Sequence, residues 1–269
     1  HWVDFRLSAP VLRSALELDM ASQGGEQPLD WIDILALAAA WRGGTGVTVA
    51  DTQRAAQALR GDTPPERLPG MAGRCFSYYR AAYGAALGGL VGHFAIRRTD
   101  PQTGEAEWIP AYGLKAFSPI AAGYPWSHYP DFGAQRSYGY ARPHLGNDIL
   151  GALGTPICAV EGGTVEALGW NRYGGWRIGI RSDDRKRYYY YAHLRKDTPY
   201  AEGLSVGQRV QAGDVIGFMG RTGYSAQENV NNIETVHLHF GLQLIFDESQ
   251  KECDSEIWID VYPIIELLA

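Results

Sequence analysis

Four of the seven histidines lie in the second half of the sequence, within segments that have the pattern of β-strands. Two of them, His237 and His239, belong to a run in which every second residue is apolar. Because successive side chains of a strand point to opposite faces, Leu238 and Phe240 would occupy the core face. Both imidazoles would then lie on the other face, within reach of a common centre.

A third histidine, His193, follows the tyrosine-rich run that begins at residue 187. The same alternation predicts that it shares a face with Tyr189 and Tyr191, whereas Ala192 and Leu194 point away. His193 is therefore expected on a polar face, although an isolated strand histidine is more often an ordinary core or solvated residue.

The fourth histidine, His144, is followed four residues later by Asp148. On a straight strand the two residues would be about 13 Å apart, too far to share one ion, so the chain must bend between them. Gly146 and Asn147 suit a bend because both tolerate backbone angles that other residues avoid. The H-x-x-x-D spacing is common by chance, but together with the H-x-H strand it indicates a metal site.

Two imidazoles and one carboxylate form a donor set that zinc accepts. Three protein ligands leave a fourth position for water, which is typical of a catalytic zinc site rather than a structural one. Zinc lowers the pKa of a bound water to about 7 and polarises carbonyl groups. The donor set therefore predicts hydrolytic chemistry.

These motifs, in this order, resemble the lysostaphin-like zinc endopeptidases of bacterial peptidoglycan. The similarity covers roughly residues 138–246 and also includes the glycine-rich turns at 154–156, 162–165 and 206–217. The chain lacks the H-E-x-x-H helix of thermolysin-like enzymes, as that family does.

The resemblance implies that His144, Asp148 and His239 hold one zinc ion, with His193 and His237 beside the water that it activates. Either of these two histidines could orient the water, accept its proton or stabilise the oxyanion, and the sequence does not divide the roles. A tyrosine upstream assists the oxyanion in the family. Tyr138 is the favoured candidate here and Tyr140 the alternative, and both could instead simply line the groove.

The resemblance also implies a substrate and a location. The substrate would be the peptide part of peptidoglycan, cut in a stem or a cross-bridge. The loop 221–236 is expected to border the groove, where its Asn229, Asn231 and Asn232 offer amide hydrogen bonds to a peptide backbone. Because peptidoglycan lies outside the cytoplasmic membrane, we expect the protein to be secreted or anchored in the cell envelope. The sequence begins at His1 rather than Met, which is compatible with removal of an upstream signal peptide or anchor.

The first part of the chain has helical periodicity. Helices are predicted from Ser8 to Gly24 and from Asp30 to Gly43, and shorter ones near 51–59 and 73–90. Turn signals within 97–110 predict a hairpin or a linker. We expect residues 1–112 to form a helical accessory domain with its linker.

From about residue 113 the period changes to two, with six short runs rich in β-branched and aromatic residues. No helix of ten or more residues separates them, which disfavours parallel βαβ units, and only 261–268 could close the chain as a helix or strand. The expected fold class is α+β, with residues 113–269 forming a mainly antiparallel β catalytic domain with a zinc-bearing groove.

Composition excludes several classes of protein. The formal net charge of −6 argues against a nucleic-acid binder, and no run of about 18 apolar residues is present to span a membrane. Three scattered cysteines, Cys75, Cys158 and Cys253, are too few for a disulfide framework and are expected to be mostly buried free thiols.

Two other functions compete with this one. Residues 206–217 also resemble half of a biotinyl or lipoyl carrier, but a carrier needs a modifiable lysine in a hairpin, usually between methionines, and this region has no such pair. The second alternative is a catalytically inactive family member that acts as a scaffold or hydrolase activator in the cell envelope. Such proteins have lost metal ligands, whereas this chain retains all of them.

The role of the helical domain stays open. Its aromatic residues could bind glycan, support the packing of the β domain, or belong to a segment that covers and restrains the groove. These aromatic residues are Trp31, Trp41, Phe76, Tyr78, Tyr79 and Tyr83.

Overall fold

The structure is a computed structural model that describes residues 5–251 and 255–269. The described chain forms two compact units, one of residues 6–116 and one of Phe5 with residues 117–269. The first is mostly helical, and the second is mainly antiparallel β. The expected α+β fold class is confirmed.

The first unit contains four α-helices, one turn of 3-10 helix and a β-hairpin. The helices are α1 (Ala9–Ser22), α2 (Trp31–Arg42), α3 (Val49–Leu59) and α4 (Met71–Leu87), with the 3-10 turn at Pro65–Arg67. The hairpin joins β1 (Val91–Thr99) to β2 (Ala106–Leu114). The hairpin alternative for 97–110 is therefore confirmed.

Local signals set the ends of α2. The Asp30 side chain accepts a hydrogen bond from the Ile32 amide at 2.7 Å, and Gly43 stops the helix with φ of 64°. An aspartate supplies an acceptor for a free amide at the helix start, and a glycine adopts the left-handed conformation without a Cβ penalty. Both predicted ends of this helix are confirmed.

Four of the six aromatic side chains considered for glycan binding belong to the core of the helical unit. Trp31, Phe76, Tyr79 and Tyr83 are buried, whereas Tyr78 is 49% exposed. The Trp41 ring is covered by the Arg54 guanidinium, 4.4 Å from the ring centroid. Because buried rings cannot stack on a sugar, these four support packing rather than glycan binding.

The second unit is built from short strands and a terminal helix. The strands are β3 (Trp126–His128), β4 (Gln135–Arg136), β5 (Arg142–Pro143), β6 (Asn147–Gly151), β7 (Pro156–Cys158), β8 (Gly163–Asn171), β9 (Gly175–Ser182), β10 (Arg187–Ala192), β11 (Arg209–Val210), β12 (Val215–Phe218), β13 (His237–Leu244) and β14 (Ile257–Ile259). A 3-10 turn at Glu248–Gln250 follows β13, and α5 (Tyr262–Leu268) ends the chain as a helix.

Eight of these strands form one sheet, in the order β11-β8-β9-β10-β13-β6-β3, with β14 paired to β13. All the neighbouring pairs are antiparallel. The core face of β13 carries Leu238, Phe240, Leu242 and Leu244, each almost fully buried. The alternation predicted for this strand is therefore confirmed, and it leaves His237 and His239 on the opposite face.

The described residues bear on two expectations drawn from composition, one about membrane spans and one about the cysteines. No helix in them has the length and apolar character needed to cross a membrane. Cys75 and Cys158 are free thiols, half-buried and buried respectively. Cys253 lies outside the described residues.

Candidate metal centre

Three side chains of the β unit meet at one point: His144, Asp148 and His239. The Nε2 atom of His144 lies 2.9 Å from Oδ1 of Asp148 and 2.8 Å from Nδ1 of His239. The third edge, from His239 Nδ1 to Asp148 Oδ1, is 3.1 Å. The structure thus brings the three expected ligand residues together as a group that could hold a metal ion.

The pairing of β6 with β13 accounts for two of the three positions. In this register Asp148 lies directly opposite His239, so both side chains leave the sheet on the same face. His144 is in the segment between β5 and β6, and the chain bends at Gly146. A Cβ at Gly146 would lie 2.7 Å from both the His239 ring and the Phe240 carbonyl oxygen. Close approach to β13, rather than a positive φ, therefore requires glycine at this position.

A second carboxylate, which the sequence analysis did not identify, orients His144. Asp131 is buried, and its Oδ2 lies 3.2 Å from Nδ1 of His144. The Asn147 side-chain amide donates a hydrogen bond to Asp131 Oδ1 at 2.9 Å, which holds the carboxylate in place. With Nδ1 of His144 donating to this carboxylate, Nε2 is left with a lone pair for a metal. Asp131 lies in a turn 13 residues before His144. No short sequence motif links the two residues, so the sequence alone does not identify Asp131 as part of the centre.

Arg136 is another residue of the centre that sequence reasoning missed. Its Nη2 atom donates to Asp148 Oδ2 at 2.9 Å and to Asp131 Oδ2 at 3.0 Å. Asp148 therefore presents Oδ1 to the histidines while its other oxygen is held by the guanidinium.

Burial and hydrogen bonding act in opposite directions on the pKa values of the centre. Burial alone would lower the pKa of His144, but hydrogen bonds to Asp131 and Asp148 outweigh it and raise the pKa to about 9. Burial would raise the pKa of Asp148, yet hydrogen bonds from His144 and His239 hold it far below its usual value. Burial lowers the pKa of His239, which favours a neutral imidazole.

The donor set and its dimensions fit zinc. An ion with tetrahedral coordination, about 2.0–2.1 Å from each donor atom, requires donor–donor separations of roughly 3.3 Å. The three measured separations, 2.8, 2.9 and 3.1 Å, are close to this value. Two imidazole nitrogens and one carboxylate oxygen are also ordinary zinc ligands, and the carboxylate–histidine pair behind His144 is the usual supporting contact.

His193 and His237 lie beside this group. Their ring centroids are 4.7 Å apart, and that of His193 is 5.9 Å from that of His239. Each has Nδ1 at 2.9 Å from a backbone carbonyl oxygen, that of Thr222 for His193 and that of Thr235 for His237. A carbonyl oxygen accepts a hydrogen bond but cannot donate one, so Nδ1 carries the hydrogen in both rings and Nε2 has the lone pair. Both imidazoles can thus accept a proton.

Strand alternation predicts that His193 shares a face with Tyr189 and Tyr191, and this prediction is wrong. Tyr189 and Tyr191 lie in the core, where the Tyr189 hydroxyl donates to Glu161 at 2.6 Å, and Tyr190 is the tyrosine that lines the groove. The strand β10 ends at Ala192, and His193 adopts a left-handed conformation with φ of 62°. This change of backbone direction, rather than alternation, brings the imidazole to the metal side.

The two candidate tyrosines stand next to a third. The Tyr138 ring stacks on that of Tyr224, with centroids 4.5 Å apart, and Tyr140 is 57% exposed against the edge of Tyr173. Tyr224 lines the groove, and its ring centroid is 5.9 Å from that of His193. This position makes Tyr224 a further functional candidate. The sequence analysis identified its loop but not the residue.

The loop 221–236 borders the groove through Tyr224. Two of its three asparagine side chains, Asn229 and Asn232, are engaged with the protein itself, whereas the buried Oδ1 of Asn231 has no hydrogen-bond partner among the described residues. Asn229 Oδ1 accepts from the Trp176 indole at 2.9 Å, and Asn232 donates to the Tyr224 carbonyl at 2.6 Å. These two amides stabilise the loop, so the aromatic ring is the part of the loop presented to a ligand.

Asp131→Asn is expected to weaken zinc binding by about 10- to 100-fold, because the carboxylate that makes His144 a better donor is lost. Competition with a chelator of known affinity measures the change. Asp183→Asn is the matched control, since it removes an exposed carboxylate paired with Arg209 at 2.7 Å in the same unit. Equal affinities in the two variants would contradict a supporting role for Asp131.

Comparison with known proteins identifies the family of one part of the chain. Residues 142–252 match the sequence profile described as Peptidase family M23. The chain carries an M23 peptidase domain. The expected lysostaphin-like resemblance is thereby confirmed, and His144, Asp148, His193, His237 and His239 all lie within the matched residues.

Relatives of the M23 domain include endopeptidases named for different substrates. The chain is 35% identical over 177 residues to an L-Ala–D-Glu endopeptidase of Bacillus subtilis, covering 62% of this chain and 52% of that protein. It is 38% identical over 98 residues to the glycyl-glycine endopeptidase ALE-1 of Staphylococcus capitis, covering 36% of this chain and 24% of that protein. The chain thus spans about half the length of the first relative and a quarter of the second.

A solved structure is similar over nearly the whole chain. It is a LytM protein from Ruminococcus gnavus, with a TM-score of 0.55 and 25% identity. The match covers 98% of this chain and 90% of that one. The similarity therefore includes the helical part of the chain as well as the M23 domain.

Proposed function

We propose that the protein is a zinc-dependent endopeptidase that hydrolyses peptide bonds in peptidoglycan stems or cross-bridges. The observation that carries this proposal is the convergence of His144, Asp148 and His239 with two further histidines beside them, one of which, His193, lines the same groove. Both relatives are named as endopeptidases, which supports the same class of reaction for this protein.

The hydrogen bonds around the metal centre support a separate role for each residue. Zinc, when bound to the three donors, supplies an activated water at neutral pH and a Lewis acid for the peptide carbonyl. His193 and His237 accept a proton at Nε2, because their Nδ1 atoms are held by the Thr222 and Thr235 carbonyls. Burial and the neighbouring His237 lower the pKa of His193 well below its usual value, so its imidazole is neutral at pH 7.

A tyrosine hydroxyl is proposed to stabilise the oxyanion that forms on the substrate. Tyr138 remains the candidate taken from the family pattern. Its stack on Tyr224 supports a joint role, in which Tyr138 positions the Tyr224 ring beside His193.

The proposed location is outside the cytoplasmic membrane, where peptidoglycan is found, either secreted or anchored in the envelope. Residues 113–269, which contain the M23 match over 142–252, are proposed as the catalytic part, and the helical part, residues 1–112, is proposed as an accessory domain. The burial of four of its aromatic rings supports a structural role for it over glycan binding.

Digestion of purified peptidoglycan tests the function directly. The zinc-loaded protein, with about one zinc per molecule, is expected to release new amino termini and no new reducing sugar ends. Both products are measured in the same digest, and mass spectrometry of fragments from peptidoglycans with and without glycine bridges identifies the bond.

Two results would contradict the proposal. Reducing ends without new amino termini would indicate cleavage of glycan strands. No cleavage by protein that holds one zinc would favour the alternative, an inactive family member that acts as a scaffold or activator.

A further inference from the structure

The groove beside the metal centre contains a guanidinium group without an acidic partner. Arg136 and Arg142 both line it, but Arg136 is paired with Asp131 and Asp148. Among the described residues, Arg142 has no carboxylate within ion-pair distance. Its Nη1 donates to the Tyr138 carbonyl oxygen at 2.6 Å, which leaves its other N–H donors for a ligand.

Aromatic rings hold Arg142 in place. Its guanidinium carbon lies 4.6 Å from the ring centroid of Tyr173, 5.5 Å from that of Tyr140 and 5.8 Å from that of Tyr224. Cation–π contacts of this kind fix the orientation of the planar group without neutralising its charge. An arginine oriented in this way loses little conformational entropy on binding a planar anion such as a carboxylate.

The position of Arg142 relates it to the reaction. It lies two residues before His144, and the Tyr224 ring that it contacts is 5.9 Å from that of His193. One aromatic side chain thus separates the guanidinium from a proposed catalytic histidine. A substrate group bound by Arg142 would belong to a residue close to the scissile bond, since each extended residue advances about 3.3 Å.

The charge of the groove favours an anionic ligand. Its lining includes the two guanidinium groups and one carboxylate, Asp148, although the whole chain has a formal charge of −6. A bound zinc ion would add further positive charge. Because Arg136 is already paired with Asp131 and Asp148, Arg142 is the charge in the lining that remains to attract an anion entering the cleft.

We propose that Arg142 determines specificity by binding a free carboxylate of the substrate peptide next to the cleaved bond. This inference rests on the proposed function and narrows it. A glutamyl residue linked through one carboxyl retains the other as a carboxylate, whereas an interior glycyl-glycine bond has no charged group beside it. The groove therefore fits an acidic stem peptide better than a glycine bridge.

The test uses two peptides that differ by one group: L-Ala-γ-D-Glu-L-Lys and the same peptide with the glutamyl α-carboxyl as a primary amide. The wild-type protein is expected to cleave the carboxylate form with a kcat/KM about 10- to 100-fold higher, mainly through KM, as for a charge-assisted bidentate contact. Arg142→Gln is expected to bring this ratio close to one, and Arg142→Lys to give an intermediate ratio. Because the ratio compares two substrates on one protein sample, it does not depend on the folded fraction.

Arg172→Gln is the matched control. Arg172 is exposed, and its guanidinium carbon lies 5.3 Å from the centroid of the same Tyr173 ring, but it does not line the groove. The preference for the carboxylate peptide should be unchanged in this variant.

Equilibrium binding separates this inference from the proposed function. Titration of both peptides into zinc-loaded His193→Ala protein, with and without Arg142→Gln, measures recognition in the absence of turnover. A carboxylate preference that depends on Arg142 supports the inference even if no peptidoglycan is cut. Equal affinity or equal cleavage of the two peptides by protein with Arg142 intact, no binding of either peptide, or an unchanged preference in Arg142→Gln would overturn it.

Discussion

Alanine at His144 or His239 is expected to remove stoichiometric zinc, and peptide cleavage with it. Each substitution deletes one of the three donors, whose atoms lie 2.8 to 3.1 Å apart. The two protein ligands that remain are too few to retain the ion. Elemental analysis of the purified variants measures the metal. The expected change is from about one zinc per molecule to a small fraction of that value.

His93→Ala is the control for the metal analysis, because His93 is exposed and lies in the helical unit. It should retain about one zinc. If His237→Ala loses zinc while His239→Ala keeps it, the roles of the two histidines on β13 are the reverse of those proposed. Retention of zinc in His144→Ala would remove that residue from the ligand set.

Alanine at His193 or His237 is expected to lower turnover by about 10²- to 10⁴-fold while zinc stays near one equivalent. Neither residue belongs to the three-donor group, and both have a proton-accepting Nε2 because Nδ1 donates to a backbone carbonyl. The magnitude is that typical of lost acid–base or oxyanion assistance. Turnover and zinc content are measured on the same preparations.

His193 needs a second substitution, because its backbone has φ of 62°. Asparagine tolerates this left-handed conformation better than alanine does, so His193→Asn removes the imidazole with less backbone strain. Equal losses of turnover in the alanine and asparagine variants would identify the imidazole as the cause. Full activity in either variant would exclude His193 from the mechanism.

The secondary structure of the helical part was predictable because its signals are local. Asp30 and Gly43 define the ends of α2 through contacts within a few residues, and the residues between them are rich in alanine and leucine, which favour a helix. Short strands were harder to predict. The strand β6, which carries Asp148, has five residues and begins directly after the bend at Gly146, so its alternation is too brief to recognise.

The sequence by itself determined which residue types could form the centre. Alternation along β13 places His237 and His239 on the face opposite Leu238, because the period of a strand depends only on the backbone. The joint pattern of His144, Asp148 and the H-x-H pair was specific enough to indicate the family, which the match over residues 142–252 confirms.

Tertiary structure alone decided how these residues meet. The register of β6 against β13 sets Asp148 opposite His239, and a turn more than a dozen residues upstream brings Asp131 to His144. The left-handed backbone at His193 reverses the face that alternation predicts. Strand pairing, a distant carboxylate and a single backbone torsion all depend on contacts between segments far apart in the chain. Local periodicity contains no information about such contacts.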